Sequence, residues 1–324
     1  MYAIQISSFG NPAEVAKLVK VPDPGSPGAG QALIRMEYSP INPSDLLQIR
    51  GLYGIRPQLP ATVGGEGIGK ILAIGPDVGQ VNVGDRVLLP RGAFAWQQYV
   101  TAPANDLFVV PDGDPQQLSM LAVNPPTAAL MLKDYVELAP GDWVIQNAGN
   151  SGVGRAVSAF ARERGIRLIS VVRREELIDE LKATGSEAVL LEGRDLAKRV
   201  AAVTGKARVK LGLDALAGEP GFSLATALAP DATLVVYAAL SGKPTSVNPL
   251  DVIFGGLSVS GFWLDRNDLR GSPAYRDALR DGARLIAAGK LHVPIAAIYT
   301  LQEAEQAIAH AQAGGKVLLN IGAS

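Results

Sequence analysis

Between Trp143 and Arg164 the chain passes from an apolar stretch through Asn147-Ala148-Gly149-Asn150-Ser151-Gly152-Val153-Gly154 into a segment of helical period. This short piece restricts the fold more than any other. A strand that becomes a helix within a few residues needs backbone conformations that glycine adopts without strain. A helix launched in this way returns most simply to a second, parallel strand. The spacing of Gly149, Gly152 and Gly154 is G-x-x-G-x-G, a permuted form of the dinucleotide fingerprint. In that fingerprint bare backbone admits a pyrophosphate and the helix N-terminus favours its charge. The same glycines would also suit a packing turn with no ligand, so the turn alone leaves both readings open.

The surrounding pattern agrees with a parallel sheet. Apolar strands are expected at Trp143 to Asn147, Arg167 to Val172, Ala188 to Leu190, Leu211 to Asp214, Thr233 to Tyr237 and Leu257 to Phe262. Helical segments at Gly152 to Arg164 and Glu175 to Thr184 fall between the first of them, the alternation that builds an α/β domain. Before Pro111–Asp114 the chain reads differently. Short strands at Tyr2 to Ser7, Ala32 to Tyr38, Ile68 to Ile74, Arg86 to Leu89 and Gln97 to Thr101 are separated by Gly, Pro, Asn and Asp, which predicts a small β barrel or sandwich. After Gly271 come helices at Ala274 to Ala288 and Gln302 to Ala313 and a closing strand at Lys316 to Ile321. We therefore expect a β domain over 1–113, a doubly wound α/β domain over 114–265 and a C-terminal segment over 266–324.

Composition excludes several chemistries. The 324 residues contain no cysteine and two histidines, which removes disulfides, thiolate metal sites and cysteine nucleophiles. The 30 basic and 31 acidic residues are interspersed, so no basic stripe for nucleic acid or an anionic membrane is expected. No apolar run approaches the roughly 18 residues of a membrane span. The segment after Met1 reads as a strand rather than a signal peptide, and the expectation is a cytoplasmic protein without a metal.

The end of the second α/β strand bears on which dinucleotide such a turn would hold. An NAD site usually places Asp or Glu there to bind the ribose 2′-hydroxyl. This chain has Arg173 and Arg174, followed by Glu175. Two guanidiniums suit a 2′-phosphate, and cations at a helix start oppose the helix dipole unless something else requires them. NADPH is expected in preference to NADH; a solvated pair of charges is the alternative.

Several separated motifs carry a family resemblance: Pro40-Ile41-Asn42-Pro43-Ser44-Asp45 through Gly51-Leu52-Tyr53-Gly54, then Val123-Asn124-Pro125-Pro126-Thr127-Ala128, Ile145 to Gly154, Val171-Val172-Arg173 and Gly261-Phe262-Trp263-Leu264. On these the chain resembles the medium-chain dehydrogenase/reductase superfamily, and within its zinc-free branch the mitochondrial-type trans-2-enoyl thioester reductases; quinone oxidoreductases share the less specific motifs. The resemblance implies a GroES-like β-barrel catalytic domain, a Rossmann domain, and a C-terminal segment that returns to the first. It implies NADPH contacts at Asn124, Gly149, Asn150, Ser151, Gly152, Val153, Gly154, Arg173, Arg174, Tyr237, Ala238, Ala239, Leu240, Phe262, Trp263, Leu264 and Lys316. A substrate pocket is implied at Asn42, Tyr53 and Trp263.

Reduction of a conjugated enoyl thioester needs a hydride at Cβ, a hydrogen bond to the thioester oxygen and a proton for Cα. The resemblance makes Tyr53 the proton or hydrogen-bond donor, a group that enters an apolar cleft uncharged; a tyrosine merely packed on its loop is the other reading. Glu66 reads as structural and Asp45 as a helix cap. The expected function is NADPH-dependent reduction of a trans-2-enoyl thioester, on coenzyme A or acyl carrier protein, in fatty acid metabolism. An NADPH:quinone oxidoreductase and a nucleotide-binding protein without turnover are the alternatives. A homodimer is expected through an exposed strand edge near Leu257 to Gly261.

Overall fold

A computed structural model describes residues 1–323. It contains two compact units, Asn124–His292 and the pair of segments Met1–Val123 and Val293 onward.

The first unit is built around one long strand, Gln31–Ile41. It pairs antiparallel with Ile68–Ile74, Tyr99–Pro103 and Val317–Asn320, and the last of these carries Ala297–Tyr299 at its other edge. Arg86–Leu88 and Phe108–Val109 complete this sheet beyond Ile68–Ile74. A smaller sheet orders Ala16–Lys20, Tyr2–Ile6 and Ala61–Thr62. Ala32, Ile34 and Met36 alternate inward along the long strand and pack with Ile4, Ile71, Val87 and Trp96. Leu301, Ile308, Val317 and Leu319, from the other end of the chain, lie in the same core. From Val293 onward the chain belongs to the β unit, whereas 266–292, expected to return with it, lies in the α/β unit, which runs from Asn124 to His292 rather than over 114–265.

The second unit is a six-stranded parallel sheet in the order Ala188–Leu191, Arg167–Val172, Trp143–Gln146, Val209–Asp214, Thr233–Val236, Ser258–Gly261. All five pairings are parallel, and the inner strands are near-continuous apolar runs because helices cover both faces. Trp143, Ile145, Ile169, Val171, Leu224 and Leu234 form the core on one side. Strand order reverses between Trp143–Gln146 and Val209–Asp214, which makes their C-terminal ends the switch point where open α/β sheets bind ligands.

The strands expected from sequence occur with ends shifted by a few residues; the helix at Glu175 to Thr184 begins as a 3-10 turn, Glu175–Leu177, before Ile178–Ala183. Helix Asn124–Asp134 was not expected. Its residues from Asn124 to Leu132 are all buried, so it shows no polar face and no helical period. Strand Ala16–Lys20 also escaped, since lysines occupy two of its five positions.

Candidate active site

In the second unit the glycine turn opens helix Gly152–Glu163, whose N-cap Ser151 accepts at Oγ from the Gly154 amide at 3.0 Å. Each glycine permits a close approach. A Cβ on Gly149 would lie 2.7 Å from Ser170 Cβ on the neighbouring strand, and one on Gly154 would lie 2.6 Å from the Ala148 carbonyl. A Cβ on Gly152 would meet the Asn124 side-chain nitrogen at 2.6 Å. Packing therefore accounts for all three. Asn124 Nδ2, however, is buried against the turn with no hydrogen-bond partner. Asn150 is exposed at the turn's tip and Val153 is half-buried.

Two buried devices hold the turn, and the sequence reading assigned neither. Behind it, Gln146 Nε2 donates to the Gly154 carbonyl at 3.0 Å and to Ser170 Oγ at 2.9 Å, with Ser158 and Ser186 closing the cluster. Beside it, Arg155 donates to the Asn150 carbonyl at 3.2 Å and pairs with Glu180 at 2.6 Å. A cation in the first turn of a helix was the available signal, because the helix dipole disfavours it there. At the switch point Asn147 Nδ2 donates to Asp214 Oδ1 at 2.6 Å, and the same oxygen accepts from the Leu216 and Ala217 amides, both at 2.9 Å.

Arg173 and Arg174 follow strand Arg167–Val172 at its C-terminal end, next to the strand that feeds the glycine turn, and both are exposed. Arg174 Nε stands 3.6 Å from Glu176 in an exposed pair, which leaves the guanidinium in water. Ala238 and Ala239 are half-buried and Leu240 exposed, at the end of the strand beside Asp214. The Tyr237 hydroxyl is buried beside Ser151, where it makes no hydrogen bond of full geometry, and burial pushes its pKa well above that of an ordinary phenol. The triplet after Gly261 alternates: Phe262 and Leu264 are buried, Trp263 half-buried. Phe262 meets the Tyr135 ring edge-on at 6.4 Å, and Tyr135 donates to the Gly261 carbonyl at 2.9 Å.

In the first unit, Tyr53 follows the short helix Pro43–Ile49 on a loop with exposed Leu52, Gly54 and Ile55, and is itself half-buried. Gly51, at φ +73, turns the chain; a Cβ there would meet the Phe9 ring at 2.9 Å. Asn42 caps the other end of that helix. Asp45 Oδ2 accepts from the Asn42 amide at 2.7 Å, the reciprocal arm of a capping box, and Asp45 Oδ1 accepts from the Gly65 amide at 2.7 Å. The pairing of Val317 with Ile41 carries Lys316 opposite Asn42. Lys316 Nζ donates to Asn42 Oδ1 and Asn42 Nδ2 donates to Glu66 Oε1, each at 2.7 Å. Glu66, read as structural from sequence, is thereby tied to two of the expected site residues. Among the described residues, no group of three or more His, Cys, Asp or Glu is placed to hold a metal ion. No helix among them is long and apolar enough to cross a membrane.

Two family models match the chain: the alcohol dehydrogenase GroES-like domain over residues 28–112 and the zinc-binding dehydrogenase over residues 152–284. The mitochondrial enoyl-[acyl-carrier-protein] reductase of Bos taurus is 35% identical over 310 residues, covering 93% of this chain and 83% of its own length. Its counterpart from Caenorhabditis elegans is 37% identical over 275 residues, covering 83% of this chain and 79% of the relative. This chain belongs to the enoyl reductase family of the medium-chain dehydrogenase/reductases. Its fold is that family's. The Etr1p/Etr2p heterodimer of 2-enoyl thioester reductases from Candida tropicalis superposes with a TM-score of 0.89 over 99% of both chains, at 24% identity. A mycobacterial quinone oxidoreductase superposes with a TM-score of 0.82 at 28% identity, covering 99% of this chain and 100% of that one. The second family model is described by zinc, yet this member contains no cysteine at all.

Family membership corrects one expectation. A cytoplasmic location was read from composition, but the enoyl reductases matched here are mitochondrial proteins. Compartment is an address read by import receptors, and the composition of a folded domain does not carry it.

Proposed function

We propose that this chain is an NADPH-dependent reductase of trans-2-enoyl thioesters. The observation that carries the reading is the unsatisfied polar surface at the switch point. Asn124 Nδ2 is buried at the glycine turn without a partner, and an orphaned buried group costs about 1–3 kcal/mol. Together with the bare backbone at Gly149 and Gly152, it fits a dinucleotide. Asn124, the Asn150 to Gly154 turn and the Tyr237 to Leu240 segment hold its central part; Arg173 and Arg174 take the 2′-phosphate. Trp263, half-buried between two buried neighbours, borders the nicotinamide and acyl groups with Phe262 and Leu264.

When bound, NADPH supplies the hydride that adds at Cβ. Tyr53 works on the oxyanion side, as hydrogen-bond donor to the thioester oxygen and source of the proton that Cα takes up. Its phenol does so without bringing a charge to the site. The first unit thus carries the acid and the second the cofactor. Support for a thioester comes from the names of the relatives and from an Etr1p structure described as a complex with NADP and crotonyl-CoA. Acyl carrier protein is the carrier that those relatives' names indicate. The likeness to a quinone oxidoreductase supports the second reading, a quinone substrate. NADPH oxidation measured with crotonyl-CoA and with a quinone decides between them; turnover of the quinone alone overturns the thioester reading, and turnover of neither favours a binding protein.

The same reading includes a homodimer. Ser258–Gly261 is the sheet's edge strand, and Phe254, Ile253, Leu250 and Val259 are exposed next to it or on it. An unpaired apolar edge of this kind pairs with its two-fold mate.

A further inference from the structure

Arg155 and Glu180 belong to different elements of the second unit, helix Gly152–Glu163 and helix Ile178–Ala183. Arg155 is buried although it sits in the first turn of its helix, where the dipole disfavours a cation. Its guanidinium faces two ways. Nε donates to the Asn150 carbonyl at 3.2 Å, and Nη2 donates to Glu180 Oε1 at 2.6 Å. The donors of a guanidinium are fixed relative to one another in a plane, so the two bonds set the distance between their acceptors.

Each acceptor belongs to one half of the proposed dinucleotide site. Asn150 is the tip of the glycine turn, and the Ser151 amide in the same peptide plane closes that turn on the Ala148 carbonyl at 2.9 Å. Glu180 belongs to the other half. The 3-10 turn Glu175–Leu177 and helix Ile178–Ala183 follow Arg174 without a break, so Glu180 and the arginines share one short helical piece. Leu177 and Leu181 anchor this piece on Val172 and Val189. Leu181 also reaches the turn, since a Cβ on Gly149 would lie 3.5 Å from its Cδ1. That apolar contact is not directional, whereas the two charge-assisted bonds of Arg155 are.

We infer that Arg155 and Glu180 are positioning residues: together they form a strut that holds Arg173 and Arg174 at a set distance from the glycine turn, so that 2′-phosphate and pyrophosphate are bound at once. The inference rests on the NADPH reading above and makes the strut a determinant of NADPH over NADH. Two linked anchor points act in concert only while their spacing matches the ligand, and NADH uses one of them.

The test is the Kd of NADPH and of NADH, from titrations followed by nucleotide fluorescence on wild type, Glu180→Ala, Arg155→Met and the double variant. Glu180→Ala is expected to weaken NADPH binding about tenfold and to change that of NADH less than about twofold, because only NADPH spans both anchor points. Arg155→Met also frees the Asn150 carbonyl, so it should weaken both cofactors, NADPH more. The double variant should bind NADPH no worse than Arg155→Met, since the strut is already cut. Equal losses of the two cofactors in Glu180→Ala would mean a general loosening and overturn the inference, as would no loss at all. So would an effect of Glu180→Ala that persists undiminished in the Arg155→Met background. Should Glu180→Ala not fold, Glu180→Gln takes its place; it keeps an acceptor and drops the charge, and the same NADPH-selective loss is expected at smaller size. A wild type that binds NADPH no better than NADH defeats instead the assignment of the 2′-phosphate to Arg173 and Arg174, before any variant is made.

Discussion

Asn147 and Asp214 are joined by a 2.6 Å hydrogen bond across the switch point of the parallel sheet. They end adjacent strands, Trp143–Gln146 and Val209–Asp214, and both are buried. Asn147 also accepts from the Ala215 amide at 2.7 Å, and Asp214 Oδ1 accepts from the next two amides. The pair thus ties the glycine turn to the 215–217 loop. Asp214→Ala orphans three donors at once and is expected to lower stability by about 3 kcal/mol in chemical denaturation. A loss below about 1 kcal/mol would mean that water replaces the carboxylate.

Tyr53→Phe removes only the phenolic oxygen. If Tyr53 is the proton or hydrogen-bond donor, turnover of crotonyl-CoA falls by about 10²–10⁴-fold, the usual contribution of such a group. NADPH affinity is expected to stay the same, because the proposed cofactor contacts do not include this phenol. Near-normal turnover would show that the acid lies elsewhere.

Arg173 and Arg174 are exposed and hold no buried partner, so replacing both by Ala has little structural cost. Loss of a charge-assisted hydrogen bond to a 2′-phosphate weakens NADPH binding about 10–100-fold. NADH, which lacks that phosphate, should bind the variant and the wild type alike. Equal losses for both cofactors would refute the assignment.

Ala217 sits at φ 58° and ψ −165°, a conformation open to glycine and strained for any residue with a Cβ. It is fully buried, and its amide is held by Asp214. Ala217→Gly relieves that strain and is expected to raise stability by about 1 kcal/mol, visible as a higher denaturation midpoint. An unchanged or lower midpoint would show that the lost methyl packing matters more.

Phe254 is 82% exposed, beside the edge strand Ser258–Gly261. A glutamate there places a charge where the proposed dimer buries apolar surface. Phe254→Glu should therefore halve the mass seen by light scattering while leaving the fold intact by circular dichroism. A wild type that is already monomeric removes the dimer proposal.

Most of the fold was legible in the chain because its elements are local. Six apolar runs, the first of them separated by segments of helical period, specify a parallel sheet, and the turn from Asn147 to Ser151 marks where one of them passes into a helix. Arg173 and Arg174 could be placed at the end of a strand because that strand, Arg167–Val172, announces itself by composition. Helix Asn124–Asp134 could not be seen, since burial on every side erases the period by which helices are recognised. The glycines were read as phosphate ligands; the structure shows in addition that each lets a particular neighbour approach, Ser170, Asn124 or the Ala148 carbonyl.

The sequence by itself determined the class of fold, the branch without thiolate ligands, the position of the glycine turn and the family. Tertiary structure alone decided which buried polar groups answer one another. Asn147 meets Asp214 across 67 residues of chain, and Lys316 meets Asn42 across 274. Periodicity and spacing report a residue's neighbours along its own helix or strand. Contacts of this kind depend instead on strand order and register, which no local pattern encodes, and it is through them that Lys316, Asn42 and Glu66 share one chain of hydrogen bonds.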